Sequence, residues 1–302
     1  MSKSTKWFLI IAGILVLLAA LFTLIVVSFV AGTGDRTDTV TLGSGDKIAL
    51  VELKGTIVSS EEIVRQLKKF GDQSSIRAIL LRIDSPGGGV VPSQEMYEEV
   101  RKVREKGKPV VVSMGSLAAS GGYYVACGAS RIVANRGTLT GSIGVISEFL
   151  QLQDLFGKVG VGVKTVKSGK LKDAGSQSRK MTEEEQRYFQ SLIDDVHGQF
   201  KHVVQTEREL DSLTVNELAD GRVFTGEQAV SLGLVDTIGT FEDAVQIAAE
   251  LAGIDGEPSI VRERVRRTFW ETMVGDVAEE VRAASRELLE WPVMSYRYTG
   301  AP

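Results

Sequence analysis

The sequence predicts an α/β domain in which helices cover the faces of a parallel sheet. Short apolar runs alternate with longer stretches of helical pattern between residues 47 and 253. Apolar strands that are separated by helices are typical of a parallel sheet buried on both faces. The composition, 43% hydrophobic and 25% charged residues, is that of an ordinary globular protein. The length is sufficient for one large domain or two small ones with an ample core.

Each predicted element follows from its local pattern. Thr182 precedes three glutamates, which predicts the N-terminus of a long helix that extends to Leu210. Capped helices around a short strand are predicted at 225–236 and 240–253. The predicted strands are 47–53, 76–83, 108–114, 130–135 and 162–166. The other predicted helices are 61–70, 91–106, 118–128 and 148–157.

An uncharged apolar segment near the N-terminus predicts a membrane anchor. Residues 7–31 contain no charged side chain, and a helix of that length spans a lipid bilayer. The segment is longer than the apolar region of a cleavable signal peptide. Because Lys3 and Lys6 precede it, the positive-inside rule leaves the N-terminus in the cytoplasm and the remaining chain outside. We therefore expect residues 1–31 to comprise a cytoplasmic N-terminus and a single membrane-spanning anchor.

Composition divides the rest of the chain into three parts. Residues 32–46 are polar and glycine-rich, which predicts a linker, and residues 47–258 contain the alternating strands and helices. Residues 259–302 are charged and amphipathic before an apolar-aromatic end. This pattern predicts a helical tail that lies against the membrane, a neighbouring subunit or the core.

Charge and residue counts exclude several classes of protein. The formal net charge of −4 provides no basic surface of the kind that binds nucleic acid. The single cysteine, Cys127, excludes an internal disulfide and Cys-x-x-Cys metal sites. His197 and His202 point to different faces of a helix, so we expect surface histidines without a shared metal. The sequence predicts no metal and no cofactor, and a histidine-based catalytic triad is hard to build.

The first candidate site is the glycine-rich junction at residues 82–90. Ser85 and Pro86 end a strand, and three glycines then lead into the next helix. Glycines at such a junction let backbone N–H groups turn outward, where they can hold an anion or a developing oxyanion. A flexible loop between a strand and a helix explains the same residues.

The second candidate is Ser120, in the first turn of the predicted helix 118–128. Gly121 supplies an N–H directly after the serine, as nucleophile turns often do. The Gly-x-Ser-x-Gly elbow is absent, because Ala118 stands in place of its first glycine. From the local sequence, Ser120 is either a nucleophile or a small residue that packs a helix against the sheet.

A nucleophilic serine needs a base, and lysine is the natural substitute where histidine is lacking. Burial must then lower the lysine pKa far below about 10.4. The segment 164–180 offers five lysines, and their spacing does not select one. Thr138, Thr140 and Ser142 lie between glycines and supply hydroxyls, one of which can orient a neutral lysine.

Five segments resemble the signal peptide peptidase A family of membrane-anchored Ser/Lys proteases, particularly its short form. These segments occur in the family's order, and the resemblance extends over nearly all of residues 47–253: DSPGGGV, GSLAASGGYYVA, TGSIGVI, KSGKLKDAGS and GRVFTGEQAVSLGLVD. The resemblance implies the crotonase-like, Clp-type fold, a spiral of ββα units. The long form of the family carries a duplicated domain, and the serine motif is not repeated in this sequence.

The resemblance also implies a role for each candidate residue. It assigns Ser120 as the nucleophile, Lys172 as the general base and Ser142 as the hydroxyl that orients the lysine. It places the oxyanion hole at the N–H groups of Gly88 and Gly121. In the short form, the arrangement is similar to a site shared between neighbouring subunits of a ring-like homo-oligomer, so the serine and the lysine need not come from one chain.

The resemblance implies a membrane-anchored serine endopeptidase. Its expected substrates are extended, largely apolar peptides, such as remnant signal peptides on the outer side of the cytoplasmic membrane. A crotonase-type acyl-CoA hydratase or isomerase is an alternative with the same oxyanion architecture, although it does not explain an exported, membrane-anchored location. A second alternative is a membrane-tethered scaffold that has kept the fold without the chemistry.

Overall fold

The structure is a computed structural model that describes most of the chain. The described residues are 37–42, 45–265 and 294–298, together with Trp7 and Leu17. Contacts divide the chain into two compact units, one formed by residues 1–40 and 263–289 and the other by residues 41–262 and 290–302. All the candidate site residues lie in the second unit, which is considered by itself below.

Strands and helices alternate along most of the described chain. The strands are β1 (Thr37–Leu42), β2 (Lys47–Lys54), β3 (Ile76–Ser85), β4 (Gly87–Gly89), β5 (Val110–Ala119), β6 (Arg131–Ala134), β7 (Leu139–Gly141), β8 (Val223–Thr225), β9 (Thr237–Ile238), β10 (Ser259–Val265) and β11 (Ser295–Arg297). The helices are α1 (Glu61–Asp72), α2 (Val90–Glu105), α3 (Gly121–Cys127), α4 (Gln153–Lys158), α5 (Glu183–Glu207), α6 (Ser212–Leu218), α7 (Gly226–Ser231) and α8 (Phe241–Leu251).

Nine of these strands form one sheet, and its central pairs are parallel as predicted. The order is β1-β10-β2-β3-β5-β6-β9, while β7 pairs with β5 and β8 with β7. The pairs from β2 through β3 and β5 to β6 are all parallel. The α/β class with a parallel-rich sheet is therefore confirmed. The other two strands, β4 and β11, pair with each other in antiparallel fashion outside this sheet.

Alternate side chains of the central strands contribute to two apolar clusters. Ile79, Leu81 and Ile83 of β3 belong to the larger cluster, together with side chains of α1, α2, α3 and α5. Ala78 and Leu80 belong to the other cluster, which α8 covers. This division follows from the two-residue period of a strand. Because full burial stabilises each large apolar side chain by about 1.5–3 kcal/mol, the core holds the strand ends in fixed positions.

The predicted helix starts at threonine residues are confirmed. The Thr182 hydroxyl accepts a hydrogen bond from the Glu185 N–H at 3.2 Å, and the Glu185 carboxylate accepts one from the Thr182 N–H at 3.0 Å. Thr225 and Thr240 begin α7 and α8 with the same reciprocal arrangement. Such caps satisfy backbone N–H groups that lack partners inside the helix, and each contributes about 1 kcal/mol.

Three predicted elements are wrong in position or type. The helix predicted at 118–128 begins at Gly121, because β7 pairs with the end of β5 and extends that strand to Ala119. Residues 162–166, predicted as a strand, are not in a strand, since no neighbouring strand in the described chain supplies hydrogen bonds. The helix predicted at 148–157 is the shorter α4.

The C-terminal tail also differs from the prediction in its described parts. The first residues of the predicted helical tail 259–302 form β10, because they pair in parallel with β2. The sheet therefore continues past the predicted domain end at residue 258. Near the other end, β11 is a strand. Residues 266–293 lie outside the described residues.

The predicted linker and anchor lie partly or largely outside the described residues. Within the linker, 32–46, six residues form strand β1 instead. Of the predicted anchor, residues 1–31, the structure describes Trp7 and Leu17. Within the described part of the chain, no helix is both long enough and apolar enough to cross a bilayer.

Candidate active site

The candidate site lies where the parallel strands β3, β5 and β7 end. Ala119 of β5 is in register with Gly141 of β7. Neighbouring strands lie about 4.8 Å apart, so the next residues, Ser120 and Ser142, leave the sheet side by side. The Ser120 N–H donates a hydrogen bond to the Gly141 carbonyl oxygen at 2.7 Å. The strand pairing thus brings together two predicted site residues that are 22 positions apart in the sequence.

Ser120 occupies a strained turn between β5 and α3. Its φ of 55° and ψ of −116° are rare for a residue with a side chain. Ser120 is the N-cap of α3 and lies one residue before the first helical turn. The sequence predicted it within that turn. The residue is 1% exposed, and its hydroxyl has no hydrogen-bond partner in the described structure. Strain of this kind persists only where the surroundings enforce it, and it is typical of nucleophile turns.

Two glycines of β4 are required by the close approach of other backbone segments. A Cβ on Gly88 would lie 2.1 Å from the Ile57 carbonyl oxygen, and one on Gly87 would lie 2.6 Å from the Gly121 nitrogen. The Gly88 nitrogen lies 3.2 Å from the position that a Cβ on Gly121 would occupy. The backbone nitrogens of Gly88 and Gly121 therefore border the same small space. Two N–H groups beside a helix N-terminus favour negative charge at that place.

The three hydroxyl residues left open by the sequence have different partners. The hydroxyls of Thr138 and Thr140 donate to backbone carbonyls of β5 at 2.8 and 2.7 Å. Ser142 is buried and has a φ of 50°, and its backbone N–H donates to the Arg222 carbonyl oxygen at 2.8 Å. Its hydroxyl has no hydrogen bond among the described residues. Ser142 is therefore the member of this set whose hydroxyl remains available.

Lys172 lies in a different environment from these residues. It is exposed, in an irregular segment between α4 and α5. In the described chain its ammonium group makes no hydrogen bond or ion pair, whereas the neighbouring Lys167 binds the Asp173 carboxylate and Lys170 pairs with Glu184. The structure brings Ser120, the two glycine amides and Ser142 together, and it does not bond Lys172 to any of them.

A strand from the C-terminal end lies against β4. Tyr296 of β11 is in antiparallel register with Gly88. On the other side of β11, Ser295 exchanges backbone hydrogen bonds of 3.0 and 3.1 Å with Ile146. A Cβ added at Gly87 would lie 2.1 Å from the Tyr296 carbonyl oxygen and 2.6 Å from the Gly121 nitrogen. This oxygen and this nitrogen are therefore close to each other. An extended peptide therefore fits between two backbone edges, with one carbonyl oxygen beside the Gly121 amide.

The side chain of Tyr296 fills an aromatic pocket that sequence reasoning missed. It is 0% exposed, with its ring stacked on Tyr124 at 5.2 Å and tilted against Phe200 at 4.8 Å. Its hydroxyl donates to the Val196 carbonyl oxygen at 3.2 Å. Burial raises the pKa of this hydroxyl, so it stays protonated and remains a donor. Tyr124, which follows Ser120 by four residues, was the signal in the sequence for this pocket.

Among the residues that the structure describes, His197 and Cys127 fit neither a metal site nor a second nucleophile. No group of three or more His, Cys, Asp or Glu side chains in the described residues is arranged to hold a metal ion. His197, predicted at the surface, is half-buried on α5 with an unpartnered Nε2 atom, and burial lowers its pKa. Burial raises the pKa of the Cys127 thiol to about 12, so this residue is not a thiolate at neutral pH.

Comparison with known families identifies the class of protein to which the chain belongs. The family model described as Peptidase family S49 matches residues 102–255, about half of the chain. The chain belongs to peptidase family S49. It is therefore a serine protease. A second family model, Clp protease, matches residues 46–142, which include Gly88 and Ser120.

Relatives of this S49 protease have names that agree with the family. A Synechocystis sp. protein provisionally named a protease is 50% identical over 210 residues, 69% of this chain and 76% of the relative. An Enterococcus faecium protein provisionally named signal peptide peptidase SppA is 39% identical over 215 residues, 67% of this chain and 62% of the relative. Protease 4 of Haemophilus influenzae is 36% identical over 259 residues, 82% of this chain and 42% of the relative. The resemblance to the signal peptide peptidase A family is confirmed.

Proposed function

We propose that this protease is a membrane-anchored endopeptidase in which Ser120 is the nucleophile and Lys172 its general base. The observation that carries the proposal is the position of β11, an extended segment held against β4 and beside the strained turn of Ser120. A peptide substrate that takes the same position presents its carbonyl groups to the amides of Gly88 and Gly121.

The proposed reaction is an acyl transfer through a serine ester. Neutral Lys172 takes the proton of Ser120 as the hydroxyl oxygen attacks the peptide carbonyl carbon, and the amides of Gly88 and Gly121 stabilise the oxyanion. The lysine then protonates the departing amine when the peptide bond breaks. Water, deprotonated by the same lysine, hydrolyses the ester and restores Ser120. Ser142 accepts or donates a hydrogen bond that orients the lysine.

We further propose that Lys172 reaches the serine of a neighbouring copy in a ring-like homo-oligomer. A solvated lysine keeps its proton up to a pKa of about 10.4, so a lysine base must be buried. The segment that leads to Lys172 carries six apolar side chains that are each more than half exposed: Leu150, Leu155, Val159, Val161, Val163 and Val166. Such a patch is typical of a protein interface, and covering it would also bury the base.

The proposed substrates are extended apolar peptides with an aromatic side chain at the residue that pairs with Gly88. The pocket around Tyr296 supports this choice, because its walls are Tyr124 and Phe200 and a backbone carbonyl at its end accepts a phenol hydrogen bond. Remnant signal peptides at the outer side of the cytoplasmic membrane are peptides of this class. The predicted anchor, residues 1–31, would hold the protease beside them.

Two single variants and their mixture test this proposal in the full-length chain. Ser120→Ala and Lys172→Ala should each lower hydrolysis of an apolar peptide containing tyrosine by about 10³-fold or more. Lys164→Ala, which removes another exposed lysine of the same segment, should keep the parent rate. Co-assembly of the two inactive variants should restore about a quarter of the parent rate, since random mixing gives both intact groups at about one site in four.

Each outcome has a distinct meaning. Activity that survives both single changes contradicts the Ser/Lys dyad. If Ser120→Ala and Lys172→Ala are both inactive and their mixture does not regain activity, the site is not shared between copies. The dyad then lies within one chain. A parent that hydrolyses no peptide would favour the scaffold, and hydration of an enoyl-CoA would favour the hydratase.

A further inference from the structure

We infer that Arg179 is a positioning residue that holds Lys172 in place through Asp173. The inference rests on the proposed function, because it takes Lys172 as the base. All three residues lie in the irregular segment between α4 and α5. An exposed lysine on such a segment has no strand or helix of its own to set its position, so another group must do so.

Arg179 binds Asp173 at both its side chain and its backbone. The Nε atom of Arg179 donates to Asp173 Oδ2 at 2.9 Å, and Nη2 donates to the Asp173 carbonyl oxygen at 3.0 Å. Because Asp173 directly follows Lys172, these bonds fix the backbone on one side of the lysine. On the other side, the Lys172 N–H donates to the Gly169 carbonyl oxygen at 3.2 Å. The backbone of Lys172 is held from both sides while its amine remains free of bonds in the described chain.

Arg179 is in turn anchored to the first turn of α5. Its guanidinium donates two hydrogen bonds to the carboxylate of Glu185, one of them at 2.9 Å. The Glu185 side chain is 4% exposed and also receives the Thr182 N–H of the helix cap. The Arg179 hydrogen bonds lower the pKa of Glu185 to about 2, so this anchor is charged at every pH at which a lysine base works. The bonds run without interruption from α5 to the residue beside Lys172.

The same bonds balance the charge beside the base. The Asp173 carboxylate pairs with both Lys167 and Arg179, and Arg179 also pairs with Glu185. These four side chains carry two positive and two negative charges. A carboxylate without its partners would favour the ammonium form of a neighbouring Lys172 and so oppose its use as a base. Arg179 therefore acts on the position of Lys172 and on its protonation.

Other charged side chains of the segment and of the helices that flank it do not change the sign of this effect. They include Asp154, Lys158, Lys170, Lys180, Glu183 and Glu184. All of them are present in the parent and in every variant compared below. A difference between two variants at positions 173 and 179 therefore reports the charge that was removed.

The test compares the pH dependence of peptide hydrolysis by full-length Arg179→Gln and Asp173→Asn with that of the parent. The acid midpoint is the pH at which kcat falls to half of its maximum on the acid side. We expect Arg179→Gln to raise this pH and Asp173→Asn to lower it. Each shift should be about 0.5 pH unit or more, the effect of one unit charge about 6 Å away in water. Both variants should lower kcat by about tenfold and leave KM nearly unchanged, since neither residue contacts the substrate.

Arg179→Lys separates charge from position. It retains the positive charge but not the forked hydrogen bonds to Asp173 and Glu185. We therefore expect a midpoint near that of the parent and a kcat that remains reduced. The matched control is Arg187→Gln, which removes an exposed arginine of α5 that pairs with Glu183 at 3.8 Å and should change neither quantity. If Arg179→Gln does not assemble, Asp173→Asn tests the effect of charge through the midpoint, and Arg179→Lys tests the effect of position through kcat.

The result that overturns the inference is an Arg179→Gln variant with the midpoint and kcat of the parent. Midpoints that move in the same direction in Arg179→Gln and Asp173→Asn would also overturn it, because that is the result of a general disturbance of the loop. The proposed function fails separately, when Ser120→Ala or Lys172→Ala retains activity. An inactive Lys172→Ala beside a parent-like Arg179→Gln rejects this inference alone.

Discussion

The serine side and the lysine side of the proposed site are built in opposite ways. Ser120 directly follows β5, whose side chains are buried in the two apolar clusters, and β4 and β7 place Gly88 and Ser142 next to the same turn. The segment 148–172 contributes one short helix and no strand in the described chain, and six of its apolar side chains are more than half exposed. Under the proposed mechanism, the serine side is complete within a single chain, whereas the lysine side needs a neighbouring copy.

This difference separates what folding provides from what assembly provides. The close packing of the core holds Ser120 in a strained conformation, because the cost of the strain is small beside the free energy of burying the surrounding side chains. The base needs a dry environment, which an exposed loop does not have. Under the proposed mechanism, a folded but unassembled chain has a positioned serine and no working base.

Three further changes test this comparison, and the largest effect among them is expected on the serine side, from Gly88→Ala. The added Cβ would lie 2.1 Å from the Ile57 carbonyl oxygen, so β4 must shift and the Gly88 amide with it. We expect peptide hydrolysis to fall by about 10²-fold or more, the cost of losing one oxyanion donor. Gly137→Ala is the control, since nothing lies within 4 Å of its added Cβ. A Gly88→Ala protease with more than half the parent kcat would remove β4 from the proposed site.

A smaller effect is expected on the lysine side, from Val166→Asp. Val166 is 91% exposed, so the charge costs the single chain little stability, whereas a buried interface would have to desolvate it. We expect a lower mass in light scattering and a loss of activity of about tenfold, with thermal unfolding nearly unchanged. Leu213→Asp is the matched control, because Leu213 is 78% exposed on α6, away from this segment. Equal effects of the two variants would contradict an interface at 148–172.

The smallest effect concerns β11, which pairs with β4 and with Ile146, two residues before the segment 148–172. Removing residues 294–302 empties the aromatic pocket and frees the edge of β4. A tethered segment competes with substrate, so we expect kcat/KM for a tyrosine-containing peptide to rise by about five- to tenfold, mainly through a lower KM. Removing residues 299–302 retains β11 and serves as the control. A fall in activity on removal of β11 would assign it a structural role instead.

Local patterns predicted the elements whose information is local. The threonine caps of α5, α7 and α8 were predicted because a cap depends on residues within one turn of each other. The central strands were predicted because each is a continuous apolar run. The end of β5 was not predicted, because Ala118 and Ala119 are extended only where β7 lies beside them. Residues 259–265 look helical by composition, and their pairing with β2 makes them a strand.

The sequence by itself determined the α/β class, the family and the order of the motifs that carry Ser120 and Lys172. These depend on which residues are present and on their spacing along the chain. Only the tertiary structure decided that Ser120 and Ser142 are neighbours, that β11 lies over β4, and that Lys172 is exposed. Each of these depends on pairing between segments far apart in sequence, and the free energy of that pairing comes from the whole core rather than from the residues that meet.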